Sequence, residues 1–269
     1  MMDDEAIADE VLSALAAHEQ LAPFSEQMPG FAMVDAYAVT AALRRMREGR
    51  GAVHLGRKIG FTNSAIWEEY GVHAPIWGDM FDTTVSDLAA GAVFDLSALL
   101  EPRIEPEIVF GLASAPRPGM DEAALLGCIE WVAHGFEIVQ SVFPDWRFTA
   151  PDAVMGLGMH GALRIGPQQP LADAPEGGWL AALSGFTIRL VRNGVAIDEG
   201  SGANVLGGPL TALCHLVEML AEDAHNPPLV AGEIVTTGTL TRAFPVTPGE
   251  TWATTIEGLP LAGIEIGFG

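Results

Sequence analysis

Apolar residues recur at three-to-four spacing through the first third of the chain, the rhythm of an amphipathic helix, and gather in β-branched runs bounded by turn residues through much of the rest, the mark of strands. "DEAIADEVLSALAAHEQ" therefore predicts a helix, with acids in its first turn where the helix dipole favours them. "MVDAYAVTAALRRMREGRG" predicts a second, closing in cations and Gly51. "AVHLGRKIGFTN" changes period and reads as a strand, and "SAIWEEYGV" as a short helix stopping at Gly71. From Ile76 onward strands dominate: "AVFDLSALL", "RIEPEIVFGL", "WVAHGFEIVQSVF", "HGALRIG", "FTIRLVRNGVAIDEG" and "EIVTTGTLT" are β-branched and bounded by turn residues. Asn193-Gly194 predicts a type I′ hairpin turn. "MDEAALLGCIEWVA" and "GPLTALCHLVEMLAED" predict two further helices, while "SAPRPG" and "GPQQPLADAPEGG" read as loops. The expected class is α+β: a helical N-terminal part, 1–75, packed on a mixed, strongly curved core, 76–269, in one structural unit.

Composition narrows the partners. The chain has 269 residues, is 49% hydrophobic and carries a formal charge of −22 because Lys and Arg number only 13. Such a chain lacks the clustered cations that nucleic acid or an anionic membrane surface requires. Its apolar content suits burial in a homo-oligomer. Cys128 and Cys214 are too few for a disulfide framework and have no zinc spacing. The acidic start is unlike a signal peptide, and no apolar run reaches the ~18–20 residues of a membrane span. The expectation is a cytoplasmic protein.

Candidate chemistry begins with "RIEPEIVF". On a strand Glu105 and Glu107 share a face, and Pro106, lacking a donor, predicts an edge or a bulge. Taken alone, that face reads as an edge exposed to water. Glu137, in "HGFEIVQSVF", adds a third acid among apolar neighbours, where an unpaired carboxylate is costly to bury. Three adjoining carboxylates call for a compensating cation, and oxygen-only ligation suits Mg²⁺ or Mn²⁺. Lys58, in "GRKIGFTN", either snorkels from a strand end or supplies positive charge to an anionic intermediate, with the Thr62 hydroxyl beside it. "EGSGANVLGGPL" matches neither a phosphate loop nor a dinucleotide fingerprint. Thr237, Gly238 and Thr239 end a strand, where hydroxyls and amides reach a ligand or simply follow β propensity.

"GRKIGFTN", "EPRIEPEIVFGL", "FEIVQS", "GSGANVLGGPLTAL" and "GEIVTTGTLT…PVTPGET" stand in one order over residues 50–269. Together they resemble the 2-keto-4-pentenoate hydratases and 4-oxalocrotonate decarboxylases of the fumarylacetoacetate hydrolase superfamily. The resemblance implies a β-roll core and a divalent metal held by Glu105, Glu107 and Glu137. It places Lys58 in the site and Thr62, Thr237, Gly238 and Thr239 against a small 2-oxo acid. Two departures stand out. Gln140 replaces the Asp of a related "LEIVDSR" and becomes a candidate substrate contact. "MGLGMHGAL" replaces a polar "ADNASS"-like run and brings in His160, a candidate acid–base group. The implied activity is hydration of a 2-hydroxy-2,4-dienoate or its 2-oxo-4-enoate tautomer through a metal-stabilised enolate. Decarboxylation, C–C bond hydrolysis and a non-catalytic oxo-acid-binding module are the alternatives.

Overall fold

The structure, a computed structural model, describes residues 3–64, 67, 72, 74–89 and 91–269. The apolar stripe at the N-terminus folds into α1 (Asp4–Ala17), the short α2 (Phe24–Gln27) and α3 (Met33–Gly49). Ile7, Val11, Phe24, Val39 and Leu43 from these helices bury together. The short helix expected over 64–72 falls mostly outside the described residues.

The strands follow as β1 (His54–Gly60), β2 (Ile76–Phe81), β3 (Val85–Asp87), β4 (Val93–Phe94), β5 (Arg103–Leu112) and β6 (Ile129–Val139). Then come β7 (His160–Ile165), β8 (Gln169–Pro170), β9 (Thr187–Arg192), β10 (Val195–Ser201), β11 (Ile234–Thr239), β12 (Phe244–Pro245), β13 (Thr251–Glu257) and β14 (Glu265–Phe268). Interspersed are α4 (Glu122–Leu126), α5 (Ala150–Met155), α6 (Gly178–Gly185) and α7 (Pro209–Glu222). The larger sheet runs β2-β1-β11-β5-β6-β7-β3, with β12 also on β5 and β8 on β6. It is mixed, since β1/β11 and β3/β7 are parallel, and it curls into a half-barrel. A second sheet runs β10-β9-β13-β14-β4. The α+β class and the curved mixed sheet are as expected, with β1 joining that sheet from within the first 75 residues.

Pro106 is accommodated by a bulge, and β5 is central rather than an edge. Its carbonyl accepts from Leu240 N, so its missing donor points toward β11, where the register shifts between Thr236 and Thr239. The ladder to β6 stays unbroken through Pro106↔Phe136. The hairpin turn forms as expected, with positive φ at both Asn193 (50°) and Gly194 (78°).

Three expectations need correction. "AVFDLSALL" contributes only the two residues of β4, because Ser97 N donates to Asp95 Oδ1 and turns the chain. The helix expected over 120–133 shrinks to α4, since the segment beyond Gly127 pairs with β5 as β6. The last residue read as loop in "GPQQPLADAPEGG", Gly178, starts α6, which buries Trp179 and Leu183.

The main core lies between the large sheet and α7, where Leu210, Leu213, Leu216 and Leu220 meet Phe110, Val132 and Val235. Each such aliphatic side chain contributes about 1.5–3 kcal/mol on burial. Gly202–Glu222 is long and apolar enough to cross a membrane by composition, yet half of that window is buried inside the fold. That burial identifies it as a core element. On β1, alternation sends neighbouring cations to opposite faces: Arg57 pairs with Asp79 at 3.1 Å and Glu233 at 2.9 Å, and Lys58 turns the other way.

Candidate metal centre

Glu105 and Glu107 sit two residues apart on β5, so the pleat aims both the same way. Glu137 on β6 is the direct cross-strand partner of Glu105. One oxygen from each of the three carboxylates lies within 4.8 Å of the others. Lys58 extends over the curl from β1 and sets Nζ 3.3 Å from Glu137 Oε2. Glu107, Glu137 and Lys58 are buried, and Glu105 is part-exposed.

Each buried carboxylate has one oxygen taken. Gly238 N–H donates to Glu107 Oε2 at 2.8 Å, and the His160 ring meets Glu137 Oε1 through Nδ1 at 2.8 Å. The opposite oxygens, Glu107 Oε1 and Glu137 Oε2, have no hydrogen-bond partner among the described residues. Gly238 sits at φ +95°, and a Cβ there would overlap Thr62 Oγ1, so glycine is what lets β11 bring its amide this close.

Charge is the second signature. Burial, reinforced by Glu137 and Glu105, raises Glu107 well above the ordinary carboxylate range. Burial pushes Glu105 up to about 7, with Lys58 pulling the other way and Glu137 adding to the rise. Being part-exposed, Glu105 is the more screened of the two. Burial would raise Glu137 as well, but Lys58 and His160 outweigh it and hold it near about 2. Lys58 is raised, because the three carboxylates together overcome the burial that would lower it. Burial lowers His160 despite Glu137 beside it. A neutral His160 gives its one N–H to Glu137, so Nε2 accepts the hydroxyl proton of Thr84 at 2.9 Å.

Lys58, Thr62, Glu105 and Thr239 line a cleft over this cluster, together with Phe61, Trp146, Phe148 and Met159. Three expected contacts lie elsewhere. Gln140 is an odd number of residues from Glu137 and faces away; its Oε1 accepts from Leu100 N and its Nε2 donates to the His160 carbonyl. The β11 register shift breaks the alternation, so Thr237 does not share a face with Thr239, and its hydroxyl donates to the Ile108 carbonyl. His160 stands behind Glu137, lining a separate hollow with Thr84, Arg47 and Leu15 rather than the cleft.

Other residues in the site gave little sign of themselves. Arg103 lines the cleft and stacks on Trp146 at 4.2 Å from the ring centroid. Its two-residue offset from Glu105 was the one available signal. Trp146, Phe148 and Thr84 belong to turns whose positions depend on distant strands.

The family model described as fumarylacetoacetate (FAA) hydrolase C-terminal matches residues 89–264. A 2-hydroxyhexa-2,4-dienoate hydratase from Comamonas testosteroni is 30% identical over 253 residues, covering 94% of this chain and 93% of that protein. A 4-oxalocrotonate decarboxylase from Pseudomonas sp. (strain CF600) is also 30% identical, over 258 residues, with coverages of 94% and 93%. The structure of 4-oxalocrotonate decarboxylase from Pseudomonas putida G7, complexed with magnesium and adipate, superposes with a TM-score of 0.88 at 27% identity. It covers 98% of this chain and 97% of that one.

Proposed function

Because the chain belongs to the fumarylacetoacetate hydrolase family, we propose that it is a divalent-metal-dependent hydratase adding water to a 2-hydroxy-2,4-dienoate or its 2-oxo-4-enoate tautomer. The observation that carries this reading is the carboxylate trio, with Glu107 Oε1 buried and lacking a donor beside the Lys58 ammonium. Such an oxygen is satisfied by a proton shared with a neighbouring carboxyl or by a cation. The residues fit an ion: the donor set is all oxygen, which suits Mg²⁺ or Mn²⁺, and Glu105, Glu107 and Glu137 would hold it. When bound, it supplies Lewis-acid polarisation of the substrate's carboxylate and C2 oxygen.

The chain's own groups supply the rest. Lys58 Nζ, beside the carboxylates and on the cleft wall, would face the negative charge that develops on the C2 oxygen as the dienol becomes an enolate, and so stabilise the transition state more than the resting substrate. Thr62 Oγ1, buried without a hydrogen-bond partner among the described residues, is placed to donate to a substrate oxygen, and Thr239 lines the same wall. Phe61, Trp146 and Phe148 give the diene an apolar flank.

The test is incubation of the Mg²⁺-loaded protein with 2-hydroxypenta-2,4-dienoate and longer homologues. Dienol absorbance should bleach, with a 4-hydroxy-2-oxo acid as product; no loss with any such dienoate refutes the reading. Decarboxylation is the second reading, favoured by the likeness to a decarboxylase of known structure and by Arg103, a cation able to face a second carboxylate. Release of CO₂ from 4-oxalocrotonate would select it. Binding of an oxo acid without turnover would leave a binding module instead. The same reading carries the expectations of a cytoplasmic chain with free Cys128 and Cys214 and of a homo-oligomer.

A further inference from the structure

We propose that His160 and Thr84 are positioning residues that restrict Glu137 to a single ligating oxygen, and that this restriction makes the site prefer Mg²⁺ or Mn²⁺ over Ca²⁺. The inference rests on the metal part of the proposed function and extends it to which ion is chosen and why.

Glu137 Oε1 is occupied by the His160 ring at 2.8 Å, and Glu107 Oε2 by the Gly238 amide at 2.8 Å. What remains for a cation is Oε1 of Glu107, which has no hydrogen-bond partner among the described residues, and Oε2 of Glu137, which an ion would share with the Lys58 ammonium 3.3 Å away. For either carboxylate to ligate through both oxygens, the ion would have to share the oxygen already held by its N–H donor, and that hydrogen bond fixes which way the oxygen turns. Ca²⁺ takes six to eight oxygens and commonly uses both oxygens of a carboxylate, whereas Mg²⁺ requires a compact octahedron of single contacts. Clamped carboxylates thus favour the smaller ion.

The His160 clamp is itself braced. Its Nε2 meets Thr84 Oγ1 at 2.9 Å. The Thr84 carbonyl accepts from Leu163 N at 2.9 Å and from Arg164 Nη1 at 3.2 Å, which fixes the turn between β2 and β3 against β7. His160 is almost fully buried, so solvent does not compete for either ring nitrogen. The clamp on Glu107 comes from backbone and no side-chain substitution removes it. The clamp on Glu137 comes from a side chain, and it can be removed.

The experiment uses the full-length protein stripped with EDTA. Mn²⁺ binding is read from the electron paramagnetic resonance signal of the free ion, and Mg²⁺ and Ca²⁺ are measured by competition. His160→Phe keeps the ring volume and removes the donor; Mn²⁺ affinity should fall about 10–100-fold. The Mg²⁺-to-Ca²⁺ affinity ratio should move toward calcium by at least about threefold, because a released carboxylate can turn to offer both oxygens. His160→Asn places an amide N–H where Nδ1 stands and should restore affinity to within about threefold of wild type. Thr84→Val removes the brace alone and should shift affinity and ratio in the same direction by less. Unchanged affinity and ratio in a folded His160→Phe protein overturn the proposal, as does His160→Asn binding as weakly as His160→Phe. Should His160→Phe not fold, Thr84→Val decides: wild-type binding there overturns the brace. A wild-type protein that binds Mn²⁺ but shows no such differences leaves the proposed function intact and removes only this inference. A wild-type protein that binds no divalent ion removes both.

Discussion

Metal binding at neutral pH should expel protons from this site, and the number follows from its geometry. Two unit charges 4.8 Å apart, the upper bound on the spacing of the ligand oxygens, repel by about 3.5 kcal/mol at an effective dielectric near 20. Three ionised glutamates contain three such repulsions. Lys58, 3.3 Å from Glu137, returns about 5 kcal/mol with its nearest partner and less with the other two. In the metal-free cluster Glu107 therefore holds its proton to higher pH than a free carboxyl, Glu105 is about half protonated near pH 7, and Glu137 stays ionised. A divalent ion needs all three deprotonated, so binding at pH 7 should release about half a proton from Glu105 and a further share from Glu107. Calorimetric titration with Mg²⁺ or Mn²⁺ in buffers of different ionisation enthalpy measures this directly, because the slope of observed heat against buffer enthalpy is the proton count. Release should decline as pH rises through about 7, where Glu105 ionises on its own, and apparent affinity should rise with pH over the same interval. The linkage also acts on stability. Glu105 ionises near 4.5 when unfolded and near about 7 when folded, so the metal-free fold binds more protons in that window and loses stability as pH rises through it. Glu107→Gln should remove the Glu107 share of the release and weaken binding. Heats independent of buffer at pH 7 would refute the reasoning, since they would mean that the three carboxylates are already ionised or that the ion binds elsewhere.

Two further substitutions separate catalysis from folding. Lys58→Met should lower kcat about 100–1,000-fold with a much smaller change in KM, as expected for a charge that acts chiefly in the transition state; steady-state kinetics on the best dienoate checks it, and an unchanged kcat would place the ammonium outside the chemistry. Arg57→Ala, one residue away on the opposite face of β1, should destabilise the fold by about 3–5 kcal/mol by leaving Asp79 and Glu233 buried without their guanidinium; urea unfolding measures this, and a loss under about 1 kcal/mol would show that water already serves those acids.

The sequence alone determined the elements whose causes are local. Three-to-four spacing set α1, α3 and α7, apolar β-branched runs between turn residues set β1, β5, β6, β7 and β11, and Asn193-Gly194 set the hairpin. The carboxylates were legible too, because acids inside apolar strands are costly unless something compensates them. Only tertiary structure decided what depends on residues distant in sequence meeting. Pro106 does not reveal whether it faces solvent or a bulge in β11, for that is fixed by the register with Thr236 and Thr239. Residue types in "MGLGMHGAL" do not say that His160 stands behind Glu137 and not in the cleft, since that follows from β6–β7 pairing and from Thr84 in a turn 76 residues away. Local periodicity dictates which way a side chain points along its own strand, and the curl of the sheet dictates what it meets there.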